Sequence, residues 1–337
     1  MVFSCDSFWL NAVIFIVGSW VLIKGSDIFI DAASDIARLW KVPELIIGLT
    51  LVSIGTSLPE LSTSVYASIG NVGDFTIGNV VGSNVTNITL ILGVGIVGAG
   101  VLEFSPQLFK RDIFILLGVY LLTVLMFSFC ILSISGTCSL YGIPRWGGGL
   151  LLLVGIAYCY MLFLSGRKEK EAAPQEEEKH EISACKSFFF LILGLIMVFG
   201  GSKAMVDTVV WGAKCLGIPT LVISATIVAF GTSVPELAVT LAGVFKKQHD
   251  IAIGNIIGSN IFNIFLIFGT CALIRPLPLA GEEAWVNIGF MLFAAILLAL
   301  FMGIRKKDLV RWQGWFFLLL YGGFILYNCK DILKKIL

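Results

Sequence analysis

The stretch that decides the fold reads Gly55-Thr56-Ser57-Leu58-Pro59-Glu60, and it recurs 176 residues later as Gly231-Thr232-Ser233-Val234-Pro235-Glu236. A second pair of stretches starts 18 residues after each glutamate, as Gly78-Asn79-Val80-Val81-Gly82-Ser83-Asn84 and Gly254-Asn255-Ile256-Ile257-Gly258-Ser259-Asn260. Between Gly25–Gly95 and Gly201–Cys271, 27 of 71 positions are identical without a gap, so the duplication extends well beyond these motifs.

Each copy of the first motif places one carboxylate inside an apolar run of membrane-spanning length. An ionisable side chain in hydrocarbon is costly and therefore marks a functional site by default. Two carboxylates placed by one duplication predict a single site that both halves share.

The composition is that of a membrane protein. The chain has 337 residues, of which 58% are hydrophobic and 13% charged, whereas a soluble protein carries about a quarter charged residues. The formal net charge of +1 gives no indication of a nucleic-acid partner, and no protein partner can be inferred. The eight cysteines are scattered singly without a CxxC pair, so they predict neither a metal site nor a disulfide framework.

We predict an all-α polytopic membrane protein with ten transmembrane helices, arranged as two inverted five-helix repeats. The predicted spans are Phe8–Ile30, Pro43–Ile69, Phe75–Val101, Ile113–Ser135, Trp146–Leu164, Phe188–Trp211, Ile218–Phe245, Ile251–Ile274, Trp285–Ile304 and Trp312–Ile332. The first repeat occupies residues 1–164, a charged linker 165–187, and the second repeat 188–337. Because each half has an odd number of spans, the second half enters the membrane upside down.

The basic residues predict the orientation. Sixteen of the 23 Lys and Arg residues fall on one side of this plan, which includes the linker. The positive-inside rule places that side in the cytoplasm and both termini outside. We expect a multi-pass protein of the cell membrane.

The chemistry of the first motif points to a hard cation. Pro59 has no N–H and disturbs the helix, which frees backbone and hydroxyl oxygens from Thr56 and Ser57 close to Glu60. The same argument applies to Thr232, Ser233 and Glu236. The resulting cluster has a formal charge of −2 and contains neither His nor Cys, which argues against zinc and copper. Calcium accepts a flexible shell of about 6–8 oxygens, so it suits two bent helices better than magnesium does. The second motif adds neutral oxygens from pairs of residues four positions apart, which share one helical face: Ser83 with Asn87, and Ser259 with Asn263.

The charge of the cluster also predicts how the protein works. An empty −2 site is expensive to carry through a low-dielectric barrier, whereas one Ca²⁺, two Na⁺ or two protons neutralise it. A protein that reorients only when the site is filled must exchange one load for another, without enzymatic catalysis or a cofactor.

The two motifs, GTSLPEL with GNVVGSNVTN and GTSVPEL with GNIIGSNIFN, resemble the repeats of the sodium/calcium exchanger family, within the wider cation/calcium antiporter group. The short linker is similar to that of compact prokaryotic members. The resemblance implies that Ca²⁺ is bound by Glu60, Glu236 and the backbone carbonyls of Thr56 and Thr232. It implies Na⁺ sites on the same glutamates, with further ligands from Ser83, Ser259 and the carbonyls of Ser53 and Ala229, while Ser57 and Ser233 line the site. It also implies electrogenic exchange of three Na⁺ for one Ca²⁺, with the first and sixth helices sliding across a fixed core.

Two features of the pattern bear on the alternatives. At the position of Asn263 some family members carry Asp, notably the potassium-dependent ones, whereas both halves of this chain carry Asn, at Asn87 and Asn263, which argues against potassium co-transport. A Ca²⁺/H⁺ exchanger on the same scaffold remains the alternative, and a passive cation channel is a third hypothesis. The sequence leaves open manganese or another divalent ion as cargo.

Overall fold

The computed structural model describes residues 7–40, 42–70, 73–128, 130–132, 138–172, 183–215, 229–279, 282–305 and 307–329. These residues are mostly helical. The helices are α1 Phe8–Trp40, α2 Glu44–Ile47, α3 Ser53–Thr56, α4 Leu58–Ile69, α5 Gly73–Thr86, α6 Leu92–Ala99, α7 Ile113–Phe127, α8 Arg145–Ala172, α9 Ala184–Cys215, α10 Ala229–Thr232, α11 Val234–Phe245, α12 His249–Phe262, α13 Gly269–Ile274, α14 Glu282–Arg305 and α15 Arg311–Asn328. Short strands lie between them: β1 Val101–Glu103, β2 Cys130–Leu132, β3 Cys138–Ile143, β4 Leu277–Pro278 and β5 Asp308–Val310.

Several of these helices join into membrane-length rods. Six in the described ranges are long and apolar enough to cross a membrane, namely Phe8–Trp40, Phe75–Ala99, Arg145–Gly166, Ala184–Thr208, His249–Ile274 and Glu283–Arg305. The bent pair Glu44–Thr56 and Leu58–Ile69 makes up to seven when it is taken as one span. The expectation of an all-helical, multi-pass membrane protein is therefore confirmed, whereas the count of ten stays a prediction.

Some predicted boundaries differ from the observed ones. The fourth predicted span runs to Ser135, but α7 ends at Phe127 and strand β2 follows, paired antiparallel with β3. Hydropathy alone does not distinguish a short apolar strand from a continuing helix. Helix α8 extends to Ala172 and α9 begins at Ala184, so helix occupies both ends of the predicted linker. The predicted start of the seventh span at Ile218 lies outside the described residues.

Two rods that carry the second motif, Phe75–Ala99 and His249–Ile274, form the centre of the molecule. In these rods 78% and 83% of the span is buried, against 33% for α1 and for the span within α9. A large apolar core surrounds the two central rods, whereas α1 and α9 contribute to a separate, smaller apolar cluster. The central rods are therefore enclosed by protein, while α1 and α9 lie at the periphery.

Helices α1 and α9 pack closely along their length through small residues. A Cβ on Gly25 would lie 2.6 Å from the Met197 Cβ, and one on Gly201 would lie 2.5 Å from the backbone nitrogen of Leu22. Gly25 and Gly201 are equivalent in the duplication, so both helices present a small residue at an equivalent contact. Such contacts are typical of helix pairs in membranes.

The two halves also exchange short strands. Strand β1 of the first half pairs with β5 of the second, with Val101 opposite Val310. Strand β4 of the second half pairs with β3 of the first, with Leu277 opposite Ile143. Residues 101 and 277 differ by the repeat offset of 176, so the same inter-half pairing occurs twice.

Candidate functional site

A break in the helix positions the acidic residue in each half. The chain bends by 46° between Glu44–Thr56 and Leu58–Ile69, and the break falls at Ser57, with Pro59 in the first turn of α4. Ser233 takes nearly the same backbone conformation, with φ −92° and ψ 5° against −83° and 5° for Ser57. Proline lacks the N–H that a continuous helix needs here, and this explains a break at the same place in both copies.

Both glutamates lie at the start of the helix that follows the break. Glu60 is in the first turn of α4 and Glu236 in the first turn of α11, and each residue is 1% exposed. The positive end of a helix dipole favours negative charge at this position. Each helix therefore provides partial compensation for a carboxylate that is withdrawn from solvent.

The hydrogen bonds of the two carboxylates cross between the halves. The Ser57 hydroxyl donates to Oε1 of Glu236 over 3.3 Å, and the Ser233 hydroxyl donates to Oε1 of Glu60 over 3.4 Å. The two bonds are equivalents under the repeat, because 57 and 60 become 233 and 236. Each carboxylate thus lies beside the break of the opposite half, and the two form one cluster.

Four buried oxygens of this region accept no hydrogen bond from the described residues: Glu60 Oε2, Glu236 Oε2, Asn87 Oδ1 and Asn263 Oδ1. Buried polar atoms are almost always paired, so unpaired acceptors call for a partner. All four are oxygens and none is a donor, which is the inventory that a hard cation requires.

The local backbone around the two asparagines is also unusual. Asn87 and Asn263 each begin a π-helical segment, Asn87–Ile91 and Asn263–Phe268. The first segment packs against α11, which carries Glu236, and the second packs against α4, which carries Glu60. A π-helical turn in a longer helix occurs frequently at functional sites.

The remaining predicted ligands lie around this cluster, but several already have hydrogen-bond partners. The Ser233 hydroxyl is 3.4 Å from that of Ser83. The Ser53 carbonyl, expected as a free ligand, accepts the backbone N–H of Ser57 over 3.1 Å and lies 3.5 Å from Ser259 Oγ. A carbonyl has two lone pairs, so this oxygen can accept the Ser57 N–H and still bind an ion.

Three further predicted ligands are Thr56, Thr232 and Ala229. The Thr56 hydroxyl donates to Asn255 Oδ1 over 3.1 Å, so its proton is already engaged, and the predicted ligand is the backbone carbonyl. Thr232 is half-buried and has an interaction partner of its own. Ala229 begins α10, and its side chain lies outside the described residues.

Sequence reasoning missed a set of amides and hydroxyls that tie the bent helices to the central rods. Asn79 Nδ2 donates to Ser64 Oγ over 2.9 Å, and the equivalent Asn255 Nδ2 donates to Thr240 Oγ1 over 3.0 Å. The identity of Asn79 and Asn255 across the repeat was the available signal. Their role was hidden because the partner position is Ser in one half and Thr in the other.

In the described ranges, no group of three or more His, Cys, Asp or Glu side chains comes close enough to hold a metal ion. Any cation at this cluster must therefore be bound by two carboxylates and neutral oxygens. That donor set fits Ca²⁺ or Na⁺ and is unsuited to zinc or copper.

A family model described as sodium/calcium exchanger protein matches residues 10–164 and 186–330. The chain belongs to the sodium/calcium exchanger family. The resemblance drawn from the motifs is thereby confirmed, and both matched segments contain one copy of the glutamate motif.

Individual relatives of this exchanger family support the assignment over nearly the whole chain. The sodium/calcium exchanger MaX1 of Methanosarcina acetivorans is 34% identical, covering 94% of this chain and 97% of its own length. The inner membrane protein YrbG of Escherichia coli is 32% identical, covering 94% and 95%. A solved structure of the sodium-calcium exchanger NCX_Mj, soaked with Na⁺ and Sr²⁺, has a TM-score of 0.79 and 33% identity, covering 95% of this chain and 98% of that one.

Proposed function

We propose that this protein is a secondary antiporter that exchanges Na⁺ for Ca²⁺ across the membrane by alternating access. The observation that carries the proposal is the crossed pairing of Glu60 with Ser233 and of Glu236 with Ser57. It gathers one buried carboxylate from each half at a single cluster. The family membership adds that a relative over nearly the full length of the chain is named a sodium/calcium exchanger.

The ligand assignment combines this cluster with the family resemblance. Glu60 Oε2 and Glu236 Oε2 are the charged ligands, and the carbonyls of Thr56 and Thr232 complete the Ca²⁺ site. Na⁺ ions use the same carboxylates together with neutral oxygens from the surrounding residues, namely Ser83, Ser259, Asn87 and the carbonyls of Ser53 and Ala229, and Asn263 adds its amide oxygen to whichever ion is bound, Na⁺ or Ca²⁺. The four unpaired buried oxygens support this assignment, because cations bound at the cluster would give them the partners that the described residues do not provide.

The exchange ratio of three Na⁺ for one Ca²⁺ is taken from the family resemblance, and the charge of the cluster gives its electrical consequence. With a formal charge of −2, the cluster is neutral with one Ca²⁺ and carries one positive charge with three Na⁺. Exchange of three Na⁺ for one Ca²⁺ therefore moves one net charge in each cycle. An exchange of two Na⁺ for one Ca²⁺ would move none.

The proposed architecture has ten spans in two inverted repeats. Residues 1–164 form the first repeat, 165–187 a cytoplasmic linker and 188–337 the second repeat, with both termini outside. The doubled strand pairing between the halves and the equivalent helix breaks support the two-fold arrangement. The separate packing of α1 and α9 supports their movement across the larger core.

A C-terminal tag that an external protease cannot reach in intact cells would contradict the orientation.

Calcium uptake into proteoliposomes tests the transport proposal. An outward Na⁺ gradient should drive uptake of radioactive Ca²⁺, and an inside-positive potential set by valinomycin should accelerate it because one positive charge leaves per cycle. A pH gradient that drives uptake without Na⁺ would indicate a Ca²⁺/H⁺ exchanger instead. Uptake that needs neither gradient would indicate a channel.

Substitutions at the two glutamates test the site. Glu60→Gln and Glu236→Gln each preserve shape and remove one of the two charges, so each should abolish sodium-driven uptake. Glu283→Gln, at an exposed acidic residue near the start of α14, is the matched control and should transport normally. Near-normal uptake by either site variant would refute the assignment.

A further inference from the structure

The amide of Asn263 poses a problem that the carboxylates do not. An asparagine side chain ends in an oxygen that attracts a cation and an NH₂ group that repels it, and the two are nearly the same size. Asn263 therefore contributes to the proposed cation site only when its oxygen faces the ion. Something in the protein must select that orientation.

Backbone carbonyls fix the orientation of two neighbouring amides. Nδ2 of Asn260 donates to the carbonyl of Ile256 over 2.7 Å, and Nδ2 of Asn84 donates to the carbonyl of Asn260 over 3.3 Å. A carbonyl only accepts, so in each amide the nitrogen must lie on that side. The amide oxygens are consequently on the other side, and Oδ1 of Asn260 accepts from the Tyr120 hydroxyl over 2.9 Å.

The fixed oxygen of Asn84 then determines the orientation of Asn263. Oδ1 of Asn84 accepts from Nδ2 of Asn263 over 2.9 Å, across the interface between the halves. With its nitrogen held there, Asn263 turns its oxygen away from Asn84. That oxygen is buried and has no hydrogen-bond partner among the described residues.

The surroundings make this arrangement rigid. Asn84, Asn260 and Tyr120 are fully buried, and Asn263 is 1% exposed. Nδ2 of Asn84 also contacts Sδ of Met291, at 3.7 Å. A buried network in which each member has partners holds a single conformation.

We propose that Asn84 is a positioning residue, which holds the Asn263 amide with its oxygen toward the bound cation. The inference rests on the proposed transport of Ca²⁺, since Asn84 acts on the ion only through Asn263. It gives a use to the asparagine that ends the second motif of the first half. At Asn84 the side chain serves for orientation and not for ion contact.

A double-mutant cycle tests the proposal. Asn84→Ala, Asn263→Ala and the double variant are compared by the Ca²⁺ concentration that gives half-maximal sodium-driven uptake. Each single variant should raise that concentration about tenfold, since each takes the Asn263 oxygen away from the cation and a factor of ten corresponds to the loss of about 1.4 kcal/mol of binding free energy. The double variant should match Asn263→Ala alone, because no amide is left to orient.

A purely structural role gives a different result. Independent effects multiply, so the double variant would then require about 100-fold more Ca²⁺ than the native protein. That outcome, or an unchanged half-saturating concentration for Asn84→Ala, would overturn the proposal. Asn287→Ala is the matched control, since Asn287 forms an exposed amide pair with Asn328 and should have no effect.

Two further measurements keep the test decisive. If Asn84→Ala does not yield folded protein, Asn84→Ser, whose hydroxyl can still satisfy one neighbour, replaces it in the same cycle with the same criterion. If the native protein shows no sodium-driven uptake, the proposed function fails, and binding of radioactive Ca²⁺ to the purified protein is measured across the same cycle. If the double variant then binds Ca²⁺ as tightly as Asn263→Ala alone, the positioning role is supported independently of transport. If the two single losses of Ca²⁺ affinity add up in the double variant, the proposal is overturned.

Discussion

Helix α12 lies close to the bent second span at Gly258, and a methyl group there should disrupt the site. A Cβ at this position would lie 2.5 Å from Oγ of Ser53 and 2.6 Å from the backbone oxygen of Leu49, whereas ordinary contacts begin at 3.4 Å. The Ser53 hydroxyl could rotate, but the Leu49 carbonyl belongs to the helix backbone and cannot. Gly258→Ala therefore forces helix α12 and the bent span apart by about 1 Å. This is the difference between the 2.6 Å approach to the Leu49 oxygen and an ordinary contact of 3.4 Å.

That displacement reaches the ion site directly. Oγ1 of Thr56 lies 3.1 Å from Oδ1 of Asn255, and Oγ of Ser259 lies 3.5 Å from the Ser53 carbonyl, both across the same interface. An additional separation of about 1 Å would place both pairs of atoms beyond hydrogen-bonding distance. We expect a loss of stability of about 1–3 kcal/mol, the usual cost of overpacking, and a fall in calcium transport of about tenfold to 100-fold, as a 1 Å misplacement of binding groups produces in other sites.

The assay is sodium-driven uptake of radioactive Ca²⁺ together with thermal unfolding of the purified protein. Gly98→Ala is the matched control, because its Cβ would make only ordinary contacts of 3.6 Å with the ring of Phe245. The control should transport and unfold like the native protein. Native transport by Gly258→Ala would refute the argument that this close approach positions Ser53 and Thr56.

Two further predictions concern the charged centre. Ser57→Ala and Ser233→Ala each remove one donor to the carboxylate of the opposite half, so both should raise the half-saturating Ca²⁺ concentration by a similar factor of about 3 to 10. Uptake measured over a range of Ca²⁺ concentrations checks this. An effect confined to one serine would contradict the shared cluster. Asn263→Asp introduces a third titratable carboxylate where the native amide cannot titrate, so Ca²⁺ uptake should become more dependent on pH. The measurement is Ca²⁺ uptake as a function of pH. Identical pH profiles for the variant and the native protein would count against Asn263 lying at the ion.

The duplicated motifs carry most of what the sequence can predict. The resemblance of the motif sequences indicates the family, and the constant offset between the two Pro-Glu pairs predicts the equivalence of the halves, because a repeat preserves local backbone geometry. The equivalent breaks at Ser57 and Ser233 follow from proline chemistry alone. The crossed bonds between the halves are predicted only in outline, as two carboxylates at one site.

Other features depend on contacts that no local pattern contains. Strand β2 falls within a predicted span because its apolar residues resemble a continuing helix. Only its antiparallel pairing with β3 identifies it as a strand. The bond between Tyr120 and Asn260 joins residues 140 positions apart. The role of Asn84 cannot be predicted locally because its orientation depends on a backbone carbonyl of the other half.

The central claim is that one Ca²⁺ is held jointly by Glu60 and Glu236. A crystal structure of the protein in calcium without sodium, with the ion located by its anomalous scattering, tests this claim most directly. We predict one strong peak within about 2.3–2.6 Å of a carboxylate oxygen from each glutamate. A calcium ion bound by only one of them, or bound elsewhere in the membrane region, would contradict the account.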